Sequence, residues 1–267
     1  MWLFTSCSLK FEIGFPTPFI LMLRPRSDLR QRVTRQEYLL QPSIHVLEYT
    51  DGFGNLCQRL TAPAGEFSIY SSAIIMTDEN IDVCYGAPFI EIQKLPDSVI
   101  PYLLPSRYCE SDRFGRLAMD IVGNAKDGYD QVAYILEWVR SIVKYAPGSS
   151  YLPMSAMEVK EQGYGVCRDL AHLCIALCRS LSIPARMVVG YLYKLEPMDL
   201  HAWFEVYVGG RWYTFDPTLS EPRGGRVIIA YGRDASDVAV YTQFGPPLNF
   251  SSMKVDVDVL DHPPVEE

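Results

Sequence analysis

Apolar and polar positions alternate in short runs through the first part of the chain, which is the pattern of β-strands that bury one face. The runs include LKFEIGF, IHVLEYT and EFSIYSSAIIMT, with turn residues between them. The segment DGFGN, residues 51–55, separates two such runs and predicts a hairpin connection. We therefore expect residues 1–100 to form an N-terminal antiparallel β-sandwich domain.

The pattern changes after KLPDSVIPYLLPS, residues 94–106, a stretch with three prolines and no period that we interpret as a linker. The apolar residues of RFGRLAMDIVG and YDQVAYILEWVRSIVKY then recur at helical spacing. SAMEVKEQG opens with a capping box, Ser155 and Glu158, and closes on a glycine, which predicts a short helix. Because the strands ARMVVGYLY, HAWFEVYV and RWYTF follow, residues 107–267 are predicted to form an α+β domain with a C-terminal β tail.

Composition and charge narrow the possible partners. The 267 residues are 48% apolar, which is ample for a sizeable core, and they carry a net charge of −8. This negative balance disfavours binding to nucleic acid or to an anionic membrane. The sequence has neither an apolar run of about 18 residues nor the pattern of a secretory signal, so we expect a cytoplasmic protein. Seven cysteines, an odd number, fit reduced thiols better than a disulfide framework.

Three of the cysteines fall in YGVCRDLAHLCIALCRSL, residues 164–181, and this stretch allows a metal site, a sulfur-rich core helix or a reactive thiolate. Cys174 and Cys178 share a stripe with leucines, which favours packing in the core. A metal site would need further soft ligands, and His172 lies on a different helix face. Cys167 is at the first helical turn, where unpaired N–H groups stabilise a thiolate and could hold an oxyanion. Taken alone, however, a free cysteine is more often a small buried hydrophobe.

A hairpin is predicted in DLHAWFEVYVGGRWYTFDPT, where Gly209 and Gly210 supply a two-residue turn. This register places Trp203 opposite Asp216, and His201 diagonal to Asp216 on the same face, roughly 7–8 Å away between backbones. A carboxylate at that position orients an imidazole and stabilises its cation. Each residue alone is more often structural, but a cysteine at a helix start, a histidine and an aspartate together form a nucleophile, a base and an orienting group.

The same segments resemble the core of the transglutaminase-like superfamily, and more closely its bacterial branch whose members are named cysteine proteases. The family's three motifs are present as G-V-C at 165–167, H-A-W at 201–203 and D-P-T at 216–218. AYGRDASDVA, residues 230–239, resembles the segment that follows the catalytic aspartate in that branch. The N-terminal half is loosely similar to its β-sandwich region, so the resemblance covers most of the chain.

The resemblance implies a papain-like core in which a helix carrying the cysteine packs on an antiparallel sheet. It assigns Cys167 as nucleophile, His201 as general base and acid, and Asp216 as the group that orients the histidine. Neither a metal nor another cofactor is expected for the thiol chemistry. Gln162, upstream of the cysteine, and the backbone N–H of Cys167 are candidate oxyanion donors. Trp203 is expected to pack beside His201 and to line the groove that binds the acyl group.

Such a triad predicts acyl transfer through a thioester on the cysteine. We interpret the chain as a cysteine protease or amidase that hydrolyses peptide or carboxamide bonds in a peptide or protein substrate. A protein-glutamine transglutaminase, in which an amine replaces water, uses the same first half-reaction and stays an alternative. A non-catalytic binding module of this fold is a third possibility, and the β-sandwich could serve as a recognition arm in any of them.

Overall fold

The computed structural model describes residues 1–28, 30–246 and 249–262. Six strands occupy the N-terminal part: β1 (Trp2–Ile13), β2 (Thr17–Leu21), β3 (Gln31–Gln41), β4 (Leu47–Thr50), β5 (Leu56–Ala62) and β6 (Gly65–Thr77). Three short 3₁₀ turns follow at Ile92–Lys94, Ile100–Leu103 and Ser111–Arg113.

The helices and the remaining strands follow these turns. The helices are α1 (Gly115–Val122), α2 (Tyr129–Ile142), α3 (Ala156–Gln162) and α4 (Cys167–Ser180). The strands are β7 (Lys144–Tyr145), β8 (Tyr164–Gly165), β9 (Ala185–Leu192), β10 (His201–Val208), β11 (Arg211–Phe215), β12 (Arg226–Gly232), β13 (Tyr241–Gln243) and β14 (Asn249–Leu260).

Two antiparallel four-stranded sheets form the sandwich, with strand orders β14-β1-β6-β3 and β13-β2-β5-β4. In β1, β2, β5 and β6 the apolar residues of the period-two pattern face inward, because successive side chains of a strand point to opposite faces, whereas every residue of β4 is exposed. Phe19 is fully buried between Phe11 and Phe67, with ring centres 5.4 and 6.2 Å away. The predicted α+β class with an antiparallel β-sandwich is confirmed.

The C-terminal tail joins the sandwich, which corrects its expected place in the α+β domain. Strand β14 pairs with β1 along nearly its whole length, and β13 pairs with β2. The alternation in this tail buries Val255 and Val257 and so predicts a strand, but the partner strand is set by tertiary packing. Residues 263–267 of the tail lie outside the described residues. The boundaries at residues 100 and 107 stay a prediction.

The second half is built on a four-stranded antiparallel sheet of order β11-β10-β9-β12, against which α4 packs. The hairpin between β10 and β11 has the predicted register, with Val208 opposite Arg211 and Phe204 opposite Phe215. Gly209 and Gly210 both have positive φ, 58° and 85°, as the tight hairpin turn requires. The hairpin therefore holds His201 and the end of β11 on neighbouring strands.

Side-chain amides of the sandwich close the free edge of this sheet. Gln31 accepts from the N–H of Ile228 at 2.7 Å and donates to its carbonyl at 2.8 Å. Asn55 makes the same pair of bonds with the backbone of Tyr231, at 2.8 and 2.7 Å. Because β12 is an edge strand, these amides satisfy backbone groups that another strand would otherwise pair with. Hydrogen bonds from side-chain amides of one half to the backbone of the other therefore join the two halves.

Candidate active site

Cys167 is the first residue of α4, as the sequence analysis predicts. The carboxylate of Asp169 fixes this helix start by accepting from the N–H groups of Val166 and Met154, both at 3.1 Å. A Cβ on Gly165 would lie 2.9 Å from the Cβ of Asp169, so this close approach requires glycine. The G-V-C motif thus places a cysteine in the first turn of α4, where the backbone N–H groups are unpaired.

Cys167 differs from the other two cysteines of α4 in its exposure. Cys174 and Cys178 are fully buried, and burial raises the pKa of both thiols well above the ordinary value. Cys167 is only half-buried, and all seven cysteines are free thiols. The prediction that Cys174 and Cys178 pack in the core is confirmed. Among the described residues, no group of three or more His, Cys, Asp or Glu side chains is placed to hold a metal ion.

His201 and Asp216 form a buried pair. The imidazole Nε2 lies 2.8 Å from Oδ2 of Asp216, and the two residues are 1% and 5% exposed. The other carboxylate oxygen, Oδ1, accepts from the N–H and the hydroxyl of Thr218, at 2.9 and 2.7 Å. The turn in the D-P-T motif therefore fixes the plane of the carboxylate, which in turn fixes the imidazole.

The electrostatics of the pair favour a carboxylate and an imidazolium. Burial opposes the charge of Asp216, but the neighbouring His201 and Arg226 outweigh it and hold the pKa of the carboxyl far below its ordinary value. Burial also opposes protonation of His201, yet the Asp216 carboxylate, with a smaller contribution from Cys167, raises the pKa of the imidazole to about 9. The histidine is therefore charged at neutral pH.

The thiol of Cys167 is close enough to His201 to act on its charge. Nδ1 of His201 is buried and makes no well-formed hydrogen bond to any described residue. Since Nε2 is held by Asp216, Nδ1 is the nitrogen left to exchange a proton with the thiol. The structure brings His201 and Asp216 into contact and Cys167 within electrostatic reach of the imidazole.

Three further residues surround the pair, and nothing in the sequence pattern singles them out. Arg226 at the start of β12 donates to Oδ2 of Asp216 at 2.8 Å, and Arg140 of α2 donates to the Asp216 carbonyl at 2.8 Å. Burial, followed by the charges of Cys167 and Asp216, raises the pKa of Tyr145 to about 12. The packing of α2, β7 and β12 places these three side chains around the His201–Asp216 pair. Thr218 is different, because the D-P-T motif is a local signal that could have identified it.

The two other predicted site residues are placed differently from the pair. Gln162 is exposed at the end of α3, and its amide donates to the Tyr164 carbonyl at 3.5 Å, so no observed contact directs it to an oxyanion. Trp203 does pack beside His201, with ring centres 6.1 Å apart, but it is fully buried. It borders a cleft of about 350 Å³ that Arg30 and Glu205 also line. The substrate-binding roles of both residues stay predictions.

His172 belongs to a separate buried cluster. Its Nδ1 lies 2.7 Å from the Met154 carbonyl, and its Nε2 accepts from the N–H of Ala235 at 3.1 Å. The ring of Tyr108 stacks on it at 5.2 Å, and Asp234 holds the backbone N–H of Tyr108 at 2.7 Å. The AYGRDASDVA segment therefore anchors the middle of α4.

Comparison with known proteins places the chain in a family. Residues 115–217 match the model of the transglutaminase-like superfamily. The chain is 30% identical over 231 residues to the uncharacterized protein ML0607 of Mycobacterium leprae, a match that covers 81% of this chain and 82% of that protein. It is also 24% identical over 170 residues to the uncharacterized protein YebA of Bacillus subtilis, across 52% of this chain and 23% of that protein.

A solved structure extends the match to nearly the whole fold. The crystal structure named "putative cysteine protease" from Cytophaga hutchinsonii superposes with a TM-score of 0.91 at 36% identity. The superposition covers 98% of this chain and 92% of that one. The chain belongs to the transglutaminase-like superfamily, as its motifs predict. None of the helices in the described part of the chain is long and apolar enough to span a membrane.

Proposed function

We propose that this protein is a thiol-dependent hydrolase, a cysteine protease or amidase, that uses Cys167, His201 and Asp216 as its catalytic triad. The observation that carries the proposal is the buried His201–Asp216 pair. Nδ1 of His201 has no competing hydrogen bond within the described residues, and the Cys167 thiol contributes to the raised pKa of the imidazole. A histidine in a purely structural role would use both ring nitrogens. The similarity to the Cytophaga hutchinsonii structure named "putative cysteine protease" supports the same function.

In the first half-reaction, the Cys167 thiolate, paired with the His201 imidazolium, attacks the carbonyl carbon of the substrate. A C–S bond forms, and the carbonyl π electrons move to oxygen, which the N–H of Cys167 at the helix N-terminus can bind. The C–N bond then breaks, and the His201 imidazolium donates its proton to the departing amine. The product of this half is a thioester on Cys167.

In the second half-reaction, water attacks the thioester while neutral His201 accepts a proton from it. The C–S bond breaks, the carboxylic acid leaves, and the thiolate–imidazolium pair is restored. Asp216 keeps one ring orientation throughout and stabilises the imidazolium whenever it forms.

The loop that Arg168 binds supports a peptide substrate. The loop before α3 exposes two large apolar side chains, Tyr151 at 94% and Leu152 at 80%. Arg168, the residue after Cys167, anchors this loop by donating to the carbonyl of Ser150 at 3.1 Å. An exposed tyrosine and leucine on a loop held by the residue after the nucleophile offer contacts to the side chains of a peptide, which a small amide would not need.

The test combines a peptide library with a labelled primary amine, and both products are read by mass spectrometry. Hydrolysed peptides and a thioester adduct on Cys167, both lost in Cys167→Ala and kept in Cys174→Ala, would support the proposal. Incorporation of the amine in preference to hydrolysis would assign a transglutaminase instead. If Cys167 forms no adduct in the folded protein, the binding-module alternative replaces the enzyme.

A further inference from the structure

Arg226 contacts both the orienting carboxylate and the aromatic ring beside the histidine. Its Nη2 donates at 2.8 Å to Oδ2 of Asp216, the same oxygen that binds His201 at 2.8 Å. Its guanidinium carbon lies 4.8 Å from the centre of the Trp203 ring, which stacks beside His201. The side chain is 6% exposed, so these contacts are made where water screens them little.

The N-terminal sandwich holds the backbone on which Arg226 is carried. The hydroxyl of Thr77, at the end of β6, donates to the Arg226 carbonyl at 2.7 Å. The N–H of Gly225 donates to the Asp78 carbonyl at 2.9 Å. A Cβ on Gly224 would lie 2.3 Å from the backbone of Glu79, so the two segments are in direct contact. A chain of hydrogen bonds therefore runs from the sandwich through Arg226 and Asp216 to His201.

We propose that Arg226 is a positioning residue of the active site and that the β-sandwich, through Thr77, holds it there. This inference rests on the proposed function and gives the sandwich a role beyond that of a recognition arm. With Arg226 on one oxygen of Asp216 and Thr218 on the other, the carboxylate has a single orientation, and the imidazole inherits it.

The experiment measures the rate at which iodoacetate alkylates Cys167 as a function of pH, with peptide mapping to assign the site. This reagent is an anion, so its rate reports the protonated imidazole beside the thiol. The charged or titratable groups around His201 are Cys167 on α4, Asp216 after β11, Arg226 on β12, Arg140 on α2, Tyr145 on β7 and Asp199 before β10. Arg226 contributes a positive charge to this set, and that charge disfavours protonation of the His201 imidazole.

Two pairs of variants separate positioning from folding. Thr77→Val removes the bond from the sandwich, and Thr17→Val is its matched control, since Thr17 is buried and its hydroxyl donates to the Phe15 carbonyl at 2.7 Å within the sandwich. We expect Thr77→Val to slow alkylation by roughly 10-fold and Thr17→Val to leave it within about twofold. In Arg226→Met, the pH at which the alkylation rate falls should rise by roughly one unit. In Arg226→Lys, which keeps the charge, that pH should return to the wild-type value.

Equal rates for Thr77→Val and Thr17→Val, together with a pH profile of Arg226→Met that superimposes on that of the wild type after scaling, would overturn the inference. If Arg226→Met does not fold, the Thr77 and Lys variants still decide it. A slow, unactivated Cys167 in the wild-type protein would instead remove the proposed function. The two failures are therefore distinguishable.

Discussion

His201 and His172 are both almost completely buried, yet their surroundings differ in the way that separates chemistry from structure. Both nitrogens of His172 are bound by backbone groups, and burial lowers the pKa of its imidazole. His201 has one nitrogen on a carboxylate and the other without a well-formed bond to the described residues, and its pKa is raised to about 9. Burial of a histidine therefore says little about its role until each ring nitrogen is accounted for.

The largest expected effect comes from removing each imidazole in turn. His201→Gln should lower the hydrolytic rate by roughly 10⁵-fold or more, because nucleophile and base act as a unit. His172→Gln should instead destabilise the fold through the loss of buried hydrogen bonds, while the folded fraction keeps its activity. Turnover of the best peptide substrate, normalised to the folded fraction from circular dichroism, compares the two. Similar normalised rates for both variants would remove the distinction.

The two aspartates that serve these clusters offer a second comparison. Asp216→Asn should lower the rate by about 10⁴-fold with the structure intact, because the amide favours the wrong orientation of the imidazole. Asp234 binds the N–H and the hydroxyl of Ser236 at 2.9 and 2.6 Å, so Asp234→Asn should affect stability instead. Steady-state kinetics and urea unfolding measure both. A fully active Asp216→Asn protein would refute the orienting role.

Glu205 is a third buried carboxylate, and its partners join the two halves of the molecule. Burial opposes its charge, but Arg186 and Arg30 lower its pKa to about 2. Glu205→Gln leaves two arginines without their counter-ion and should lower the free energy of unfolding by about 3–5 kcal/mol. In the folded Glu205→Gln variant, the alkylation rate of Cys167 should stay near the wild-type value. A chemical denaturation midpoint equal to that of the wild type would contradict this.

The pH dependence of stability should have opposite signs for the two histidines. The pKa of folded His201 is raised, so its contribution, about 3 kcal/mol for a shift of this size, is complete below pH 6.5 and is lost as the pH rises through about 9. The pKa of folded His172 is lowered, so its contribution is lost as the pH falls below 6.5. Urea unfolding from pH 5 to 10 should show His201→Gln flattening the alkaline side and His172→Gln the acidic side. The reverse pattern would contradict the assignment.

The smallest expected effect concerns the buried cysteine. Cys174→Ala removes one sulfur from a packed site and should lower the free energy of unfolding by about 1 kcal/mol, with alkylation of Cys167 unchanged. Thermal unfolding combined with peptide mapping checks both statements. A loss of Cys167 reactivity in this folded variant would show that the two cysteines are coupled.

Local rules explain which features could be predicted from the sequence. The helix start at Cys167 and the register between β10 and β11 depend on turn and capping residues close in the chain, and both were predictable. Arg226 and the partner of β14 depend on contacts between distant segments, for which a single sequence carries no signal. The oxyanion role of Gln162 rests on similarity of position and stays a prediction, because the observed contact of its amide with the Tyr164 carbonyl does not test it.

The most direct test of an activated Cys167–His201 pair is the pH profile of iodoacetate alkylation, resolved by peptide mapping, in wild type and His201→Ala. Cys84 is the internal control, because it is also half-buried but lies outside the triad. We expect Cys167 to react much faster than Cys84 at neutral pH, its rate to fall as His201 loses its proton near pH 9, and His201→Ala to remove both features. Equal rates for the two cysteines, or a profile unchanged in His201→Ala, would contradict it.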